Sequence, residues 1–436
     1  MLVRVVYNLL LLVGVIVFAP ILFVKVILTP RHRRRFLGRL GLGRWHIERG
    51  AGSPRIWVHA LSVGEVASAR PLLLALREAY ADGCLILSTT TTAGAGFAQT
   101  SLAQVVDGIV PFPFDFPWSV NRAIDRVRPD LFILVETDYW PNLLSALSRC
   151  GVPAILVNGR VSARSHARYA RFPWFFVPMF RSFRRLAMQT APDAEAMTRL
   201  GVSLSRLAVL GNLKYEAAVP ALRGAQRLCR ADLGIPAQAV VWVAGSTHPG
   251  EEAVVLEVHR RLRESHPGLL LVIAPRDVRR REEVLALVAR LGMGARCRSE
   301  VGGAGDGAVL LLDTLGELAS VYGLCDVAFI GGSLVAERGH NPLEAAAHSK
   351  PVLFGHSMED FSEIAHGLVK GGGGWQVVDG EELADRLAGL LADPVLRTAM
   401  GQAAFELVRQ GQGATARHLA MIQGVLAGEG GDAAAS

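Results

Sequence analysis

Along the chain, short runs of Val, Ile and Leu alternate with stretches whose apolar residues recur at helical spacing. Unbroken apolar runs read as strands buried on both faces. They fall at Ile56–Ala60, Leu85–Ser88, Leu131–Val135, Ala154–Val157, Val240–Ala244, Leu269–Ile273, Val309–Leu312, Val327–Ile330 and Pro351–Phe354. Between them, Val66–Tyr80, Pro117–Arg126, Glu251–Ser265 and Asn341–Ala347 predict helices, the first with Pro71 as a weak point in its first turns. This is α/β grammar, and it occurs twice. It predicts two doubly wound, Rossmann-like domains facing each other across a cleft, residues 31–210 and 211–425, with the crossover inside 211–236. Gly302–Gly307 and Gly371–Gly374 read as flexible connections, because neither fits a phosphate-binding glycine pattern.

Residues 5–24 carry no charge, and twenty residues at about 1.5 Å each match a hydrocarbon core of roughly 30 Å. Segment 1–30 is therefore expected to anchor the chain in a membrane, either crossing it or, bent at Pro20, lying in the interface. One cation, Arg4, precedes the apolar stretch, while Lys25, Arg31, Arg33, Arg34, Arg35 and Arg39 follow it, which predicts that the bulk of the chain stays on the cytoplasmic face. The same asymmetry argues against a cleaved signal peptide.

Charge sharpens this picture. Lys and Arg number 46 against 39 Asp and Glu, a net +7, and five of the cations fall within Arg31–Arg39. A local cluster of that kind points to anionic lipid headgroups. No module of stacking aromatics follows that would turn it toward nucleic acid. Arg168–Arg185, with Phe172, Trp174, Phe175, Phe176, Phe180 and Phe183, reads either as a second membrane-facing surface or as core aromatics under a solvated arginine face. The cysteines, Cys84, Cys150, Cys229, Cys297 and Cys325, lie singly and read as small core hydrophobes.

The candidate chemistry lies where strands end. Ile56–Ala60 runs into Leu61-Ser62-Val63-Gly64-Glu65, so Glu65 opens a helix at a sheet edge, as a general base or as a simple complement to the helix dipole. Glu136 follows the strand of LFILVETDYWPN in the same way, with capping by Thr137 or Asp138 as the alternative. Ser88–Gly94 is a hydroxyl-rich loop, with Thr90 in it, either suited to a sugar or phosphate or forming an ordinary turn. In the second half, Ser246 and Thr247 end one strand, Arg276 follows another, Gly332 and Ser333 a third, and Asn341 and Glu344 open a helix. Small residues, helix starts and one guanidinium on consecutive strand ends outline a nucleotide pocket. The histidines form no HExxH pattern and no DxD pair flanks the cleft, so no metal site is expected.

The phrases HALSVGE, RVRPDLFILVETDYWPNLL, GNLKYE, AGSTHPGEE, APR, GGSL and HNPLEAA, in this order up to about residue 370, resemble the Kdo (3-deoxy-D-manno-octulosonic acid) transferases of lipopolysaccharide synthesis. The resemblance implies a GT-B fold and an inverting transfer of Kdo from CMP-Kdo to a lipid A precursor, lipid IVA, without metal or other cofactor, at the bacterial inner membrane. It implies Glu65 as the base and Glu136 as a second essential acid. It also implies donor contacts at Ser246, Thr247, Arg276, Gly332, Ser333, Asn341, Glu344 and Lys214, with Glu344 on the ribose. Arg160 and Thr90 are the candidate acceptor contacts. Two rivals remain at this stage: a GT-B enzyme using a UDP-sugar, and a non-catalytic membrane scaffold with a nucleotide pocket.

Overall fold

The computed structural model describes residues 5–17, 30–43, 45–47, 52–218, 228–300 and 307–428. The chain divides into two compact units, residues 1–217 with 413–436, and residues 218–412.

The first unit is built on a parallel sheet of seven strands: β1 (Arg55–His59), β2 (Cys84–Thr89), β3 (Gly108–Pro111), β4 (Leu131–Val135), β5 (Ala154–Gly159), β6 (Arg185–Met188) and β7 (Leu207–Val209). They are ordered β3-β2-β1-β4-β5-β6-β7. The apolar runs recognisable in the sequence are inner strands, each buried on both faces, while the short inner strand β6 is not among them. On β1, Trp57 packs with Phe132 and Leu134 on one side, while Ile56 and Val58 pack with Leu85 and Ile133 on the other. Burial on both sides is why the pattern is continuous rather than alternating.

The second unit repeats the plan with β8 (Val241–Thr247), β9 (Leu270–Pro275), β10 (Ala295–Cys297), β11 (Val309–Leu311), β12 (Val327–Ile330), β13 (Val352–Phe354) and β14 (Gly374–Gln376). Their order is β10-β11-β9-β8-β12-β13-β14, again with parallel pairing. Gly374, expected in a loop, pairs with Val352 as the start of the edge strand β14, while Gly372 takes the left-handed turn (φ 75°) after helix Ser362–Lys370. Most of the other glycine run, 302–307, lies outside the described residues.

The expected second domain, 211–425, ends differently in the structure. Helix Ala414–Leu426 packs on the first unit, beside helix Val63–Ala79, and its Ala414, Ile422 and Val425 join the core under β1 and β5. An amphipathic helix does not say in its own sequence which sheet it will cover. Pro71 sits inside helix Val63–Ala79 rather than ending it.

Residues 5–17 form a helix, and residues 18–29, the rest of the expected anchor, lie outside the described residues. Among the described residues no helix is long and apolar enough to cross a membrane. The first turns of this helix are tied to the first unit. Tyr7 Oη donates to Asp115 Oδ2 at 2.9 Å, Asn142 Nδ2 donates to Asn8 Oδ1 at 2.7 Å, and the Tyr7 ring lies 5.8 Å from that of Phe175. Leu9, Leu10, Val13, Ile16 and Val17 face outward and exposed.

Candidate active site

In a doubly wound sheet a crevice opens at the carboxyl ends of the two strands where the winding reverses. In the first unit those strands are β1 and β4. Glu65 follows β1 and Glu136 follows β4, so the topology brings together two carboxylates 71 positions apart in the chain.

Glu65 is held by the helix start it belongs to. Ser62 caps helix Val63–Ala79 by accepting the Glu65 N–H, and the Glu65 carboxylate folds back to accept the Leu61 N–H at 2.5 Å. The arrangement is a capping box shifted by one residue. Burial, reinforced by the negative charge of Glu136, raises the Glu65 pKa from 4.5 to about 8. The Leu61 N–H and, more weakly, Lys214 pull it the other way.

Glu136 is 6% exposed and sits in the left-handed region at φ 66°, where a non-glycine residue costs on the order of 1 kcal/mol or more. Its Oε1 lies 3.5 Å from Lys214 Nζ and accepts from Asn158 Nδ2 at 3.4 Å. Asn158, also left-handed (φ 55°) and fully buried, is a junction. Its Oδ1 accepts from Leu213 N–H, its carbonyl accepts from Gln189 Nε2, and its N–H donates to His418 Nε2 at 3.2 Å. Burial lowers the His418 pKa to about 4. The neutral ring therefore carries its proton on Nδ1, which donates to the Ala414 carbonyl, and accepts on Nε2. One asparagine thus ties the Glu136 and Lys214 segments to the returning C-terminal helix.

Two more groups border the carboxylates. His59, buried and stacked on Phe112 at 3.6 Å, has its pKa lowered by burial, and its Nε2 lies 3.6 Å from Asp138 Oδ2. Thr90 is half-buried after β2, and its N–H donates to the Leu61 carbonyl at 3.2 Å. Arg160 is half-buried after β5.

In the second unit the winding reverses between β8 and β12. Ser246, left-handed at φ 58°, bulges out of β8 where its register with β9 shifts, and Thr247 ends the strand with a buried Oγ1 that has no partner among the described residues. Arg276 is exposed just past β9. Asn341 Oδ1 accepts the Leu343 N–H, and its Nδ2 donates to Glu344 Oε1 at 3.4 Å. Burial raises the Glu344 pKa, opposed by the Asn341 bond and the Arg276 charge. The Arg276 charge acts on both Glu344 and His340.

The turn after β12 holds a carboxylate that pattern reading passed over. Glu251, fully buried at the start of helix Glu251–Ser265, accepts the N–H groups of Gly332, Ser333 and Leu334 at 2.7, 3.1 and 3.0 Å, and that of His248 at 3.2 Å. Gly332 is left-handed (φ 67°), which lets three successive amides converge on one carboxylate. The amides of Gly332 and Ser333 are thus engaged within the protein. Ser333 Oγ is engaged too, donating to the Ile330 carbonyl and accepting from Gly355 N–H. Next to this turn, His248 and His340 share a 2.8 Å Nε2 to Nε2 hydrogen bond, and burial with the nearby Arg276 charge lowers the His340 pKa to about 4.

Of the expected residues, Glu65, Glu136 and Thr90 gather at the first reversal point, and Ser246, Thr247, Arg276, Gly332, Ser333, Asn341 and Glu344 at the edge of the second sheet. Lys214, grouped by resemblance with the donor contacts, lies in the first unit against Glu136. Sequence reading did not single out Asn158, Glu251 or the histidine pair. Glu251 and His248 stand in THPGEE and His340 in GHNPLE, so a polar residue beside a helix start was the available signal. Among the described residues no group of three or more His, Cys, Asp or Glu side chains is arranged to hold a metal ion.

Comparison with known proteins bears on the fold and the family. The fold is shared with a UDP-GlcNAc 2-epimerase from Neisseria meningitidis (TM-score 0.61, 12% identity, covering 85% of this chain and 99% of that one). It is also shared with a glycosyltransferase from Rickettsia africae (TM-score 0.57, 11% identity, 85% and 98%). At such identities the likeness concerns the fold alone. A 3-deoxy-D-manno-octulosonic acid transferase from Haemophilus influenzae is 32% identical over 94% of this chain and 95% of its own length. One from Bordetella pertussis is 33% identical over 84% and 86%. Residues 34–217 match the 3-deoxy-D-manno-octulosonic-acid transferase (kdotransferase) family, and with these relatives over nearly the whole length, the chain belongs to that family.

Proposed function

We propose that the protein transfers Kdo from CMP-Kdo to a lipid A precursor, lipid IVA, in lipopolysaccharide synthesis, by an inverting displacement with Glu65 as general base. The observation that carries the reading is the Glu65 carboxylate, buried beside Glu136 at the first reversal point with a pKa raised to about 8. A base of that strength suits proton removal from an attacking hydroxyl near neutral pH. The acceptor oxygen forms its bond to the anomeric carbon as the bond from that carbon to the CMP phosphate oxygen breaks. The hydroxyl proton passes to Glu65, and CMP leaves with the bonding electrons. A single displacement of this kind inverts the anomeric centre. Lys214 neutralises Glu136 and so limits how far the paired negative charges oppose ionisation of Glu65.

On the donor side, the exposed Arg276 offers its guanidinium to the anionic donor, and Glu344, oriented by Asn341, accepts from ribose hydroxyls. Ser246 and Thr247 supply hydroxyls and a strained turn, whereas Gly332 and Ser333 shape the pocket edge through the Glu251 cradle. The reading needs no metal or other cofactor.

An acylated acceptor stays in the bilayer, so the reading includes attachment to the cytoplasmic face of the inner membrane. Because Tyr7 and Asn8 are tied to the catalytic unit, the helix of residues 5–17 is read as lying in the headgroup interface with its apolar face down, not as entering from the far side. Exposed Phe172 and Trp174 extend that surface, and exposed Arg33 and Arg34 suit anionic lipid. Phe180 and Phe183 from the same aromatic stretch are core residues.

The test is CMP release by the purified protein with CMP-Kdo and lipid IVA, with and without EDTA, beside Glu65→Ala. Turnover that survives EDTA and falls by about 10² or more in the variant supports the reading. No turnover by folded protein, or turnover indifferent to Glu65, defeats it.

A further inference from the structure

The basic cluster after the apolar segment does not act as one unit. Helix Pro30–Arg39 carries Arg33 and Arg34 exposed, whereas Arg35 and Arg39, one turn apart, are half-buried. The Arg35 guanidinium donates to the Thr90 carbonyl. Arg39 Nε donates to the Phe112 carbonyl at 3.0 Å, and its guanidinium lies 4.1 Å over the Phe114 ring. These partners are neutral. Among the described residues no carboxylate comes within the 4.0 Å ion-pair distance of either guanidinium. Asp138 acts on Arg39 only through space, and burial followed by repulsion from Arg35 lowers the Arg39 pKa to about 10.

Two partly desolvated cations that repel each other and touch only neutral groups are more stable once an anion joins them. Thr90, whose carbonyl Arg35 holds, also carries a buried Oγ1 without a hydrogen-bond partner among the described residues, an unused donor on the same residue. The place is close to the chemistry. The Thr90 N–H donates to the Leu61 carbonyl, and the Leu61 N–H donates to the Glu65 carboxylate, so two backbone hydrogen bonds separate the residue that Arg35 grips from the carboxylate at the reversal point.

We propose that Arg35, Arg39 and the Thr90 hydroxyl form an anion subsite that seats a phosphate monoester of the acceptor glycolipid and thereby sets the attacking hydroxyl beside Glu65. The substrate class rests on the transferase reading above; the subsite rests on the contacts just described. Arg33 and Arg34 are left to meet the membrane surface, which separates a specific phosphate from general headgroup attraction.

The test is equilibrium binding, without donor, of the full-length protein to two acylated glucosamine disaccharides, one phosphorylated and one not, in neutral detergent micelles. Variants are Arg35→Gln, Arg39→Gln, Thr90→Val and, should either Gln variant melt early, the matching Lys variant, which keeps a cation able to pin the helix. Wild type should prefer the phosphorylated lipid by about tenfold or more, and each Gln variant should bring that preference close to unity while binding of the unphosphorylated lipid stays within about twofold. A preference that survives in both arginine variants, or equal loss of both lipids, overturns the proposal. Displacement of the phosphorylated lipid by phosphatidylglycerol in the micelle as readily as by the unlabelled phosphorylated lipid also overturns it, by showing a generic headgroup site. CMP release does not enter this readout. A protein that binds phosphate through these arginines yet never releases CMP would refute the transferase reading and leave the subsite standing.

Discussion

The charge of Glu136 is one cause of the raised Glu65 pKa, and removing it makes a quantitative test of how the site works. Burial is the larger cause. The rise from 4.5 to about 8 corresponds to on the order of 5 kcal/mol against the ionised form, at about 1.4 kcal/mol per unit. Glu136, as the second cause, contributes less than burial does. In Glu136→Gln the repulsion goes, and the Lys214 charge, no longer offset by the carboxylate 3.5 Å away, still favours ionisation of Glu65; the two effects have the same sign. The Glu65 pKa should therefore fall by about one unit, toward about 7. The assay is kcat/KM for Kdo transfer between pH 5.5 and 9.5, which reports the free enzyme. Wild type should show an acidic limb near 8, and the variant a limb displaced toward lower pH. A limb that stays in place or moves upward refutes the electrostatic coupling. Activity lost at every pH by a folded variant would instead make Glu136 a participant in the chemistry.

Other consequences follow from the same contacts. A raised carboxyl pKa means that the native state binds more protons than the unfolded chain between pH 4.5 and about 8. The Glu65 contribution to stability is thus complete below 4.5 and lost as pH rises through about 8. Glu65→Gln, which cannot ionise, should gain on the order of 4 kcal/mol relative to wild type between pH 4.5 and 9, read as the change in the difference of their urea unfolding free energies; a difference independent of pH would contradict the burial of this group. Lys214→Met should raise the acidic limb, because it removes a cation that favours ionised Glu65, and a limb moved downward would refute that placement. Glu251→Ala leaves four backbone N–H groups without their acceptor and should cost about 3–5 kcal/mol of stability in urea unfolding, whereas a loss under about 1 kcal/mol would mean that the turn after β12 does not depend on this carboxylate. Trp174→Ser removes an aromatic ring that is 54% exposed, and should weaken flotation with anionic liposomes severalfold at unchanged thermal stability; equal flotation would exclude that ring from the membrane surface.

Sequence alone determined the two α/β halves and every inner strand except the four-residue β6, because a strand buried on both faces needs an unbroken apolar run such as LFILV at β4 or VAFI at β12. It also placed most of the candidate residues at strand ends, where the structure has them, because in this fold functional side chains follow strand ends and those ends are visible as the point where an apolar run breaks. The edge strands were not legible. β3, β7, β10 and β14 are three or four residues long and take their strand character from a neighbour rather than from their own pattern. Likewise, pattern could not say that Ala414–Leu426 returns to the first unit to place His418 on Asn158, or that the arginines of one cluster divide between solvent and the Thr90 and Phe112 carbonyls. Local periodicity records which face of an element is apolar. Which partner covers that face, and which charge ends up beside which carboxylate, is set by contacts between residues far apart in the chain, and only the folded structure brings those together.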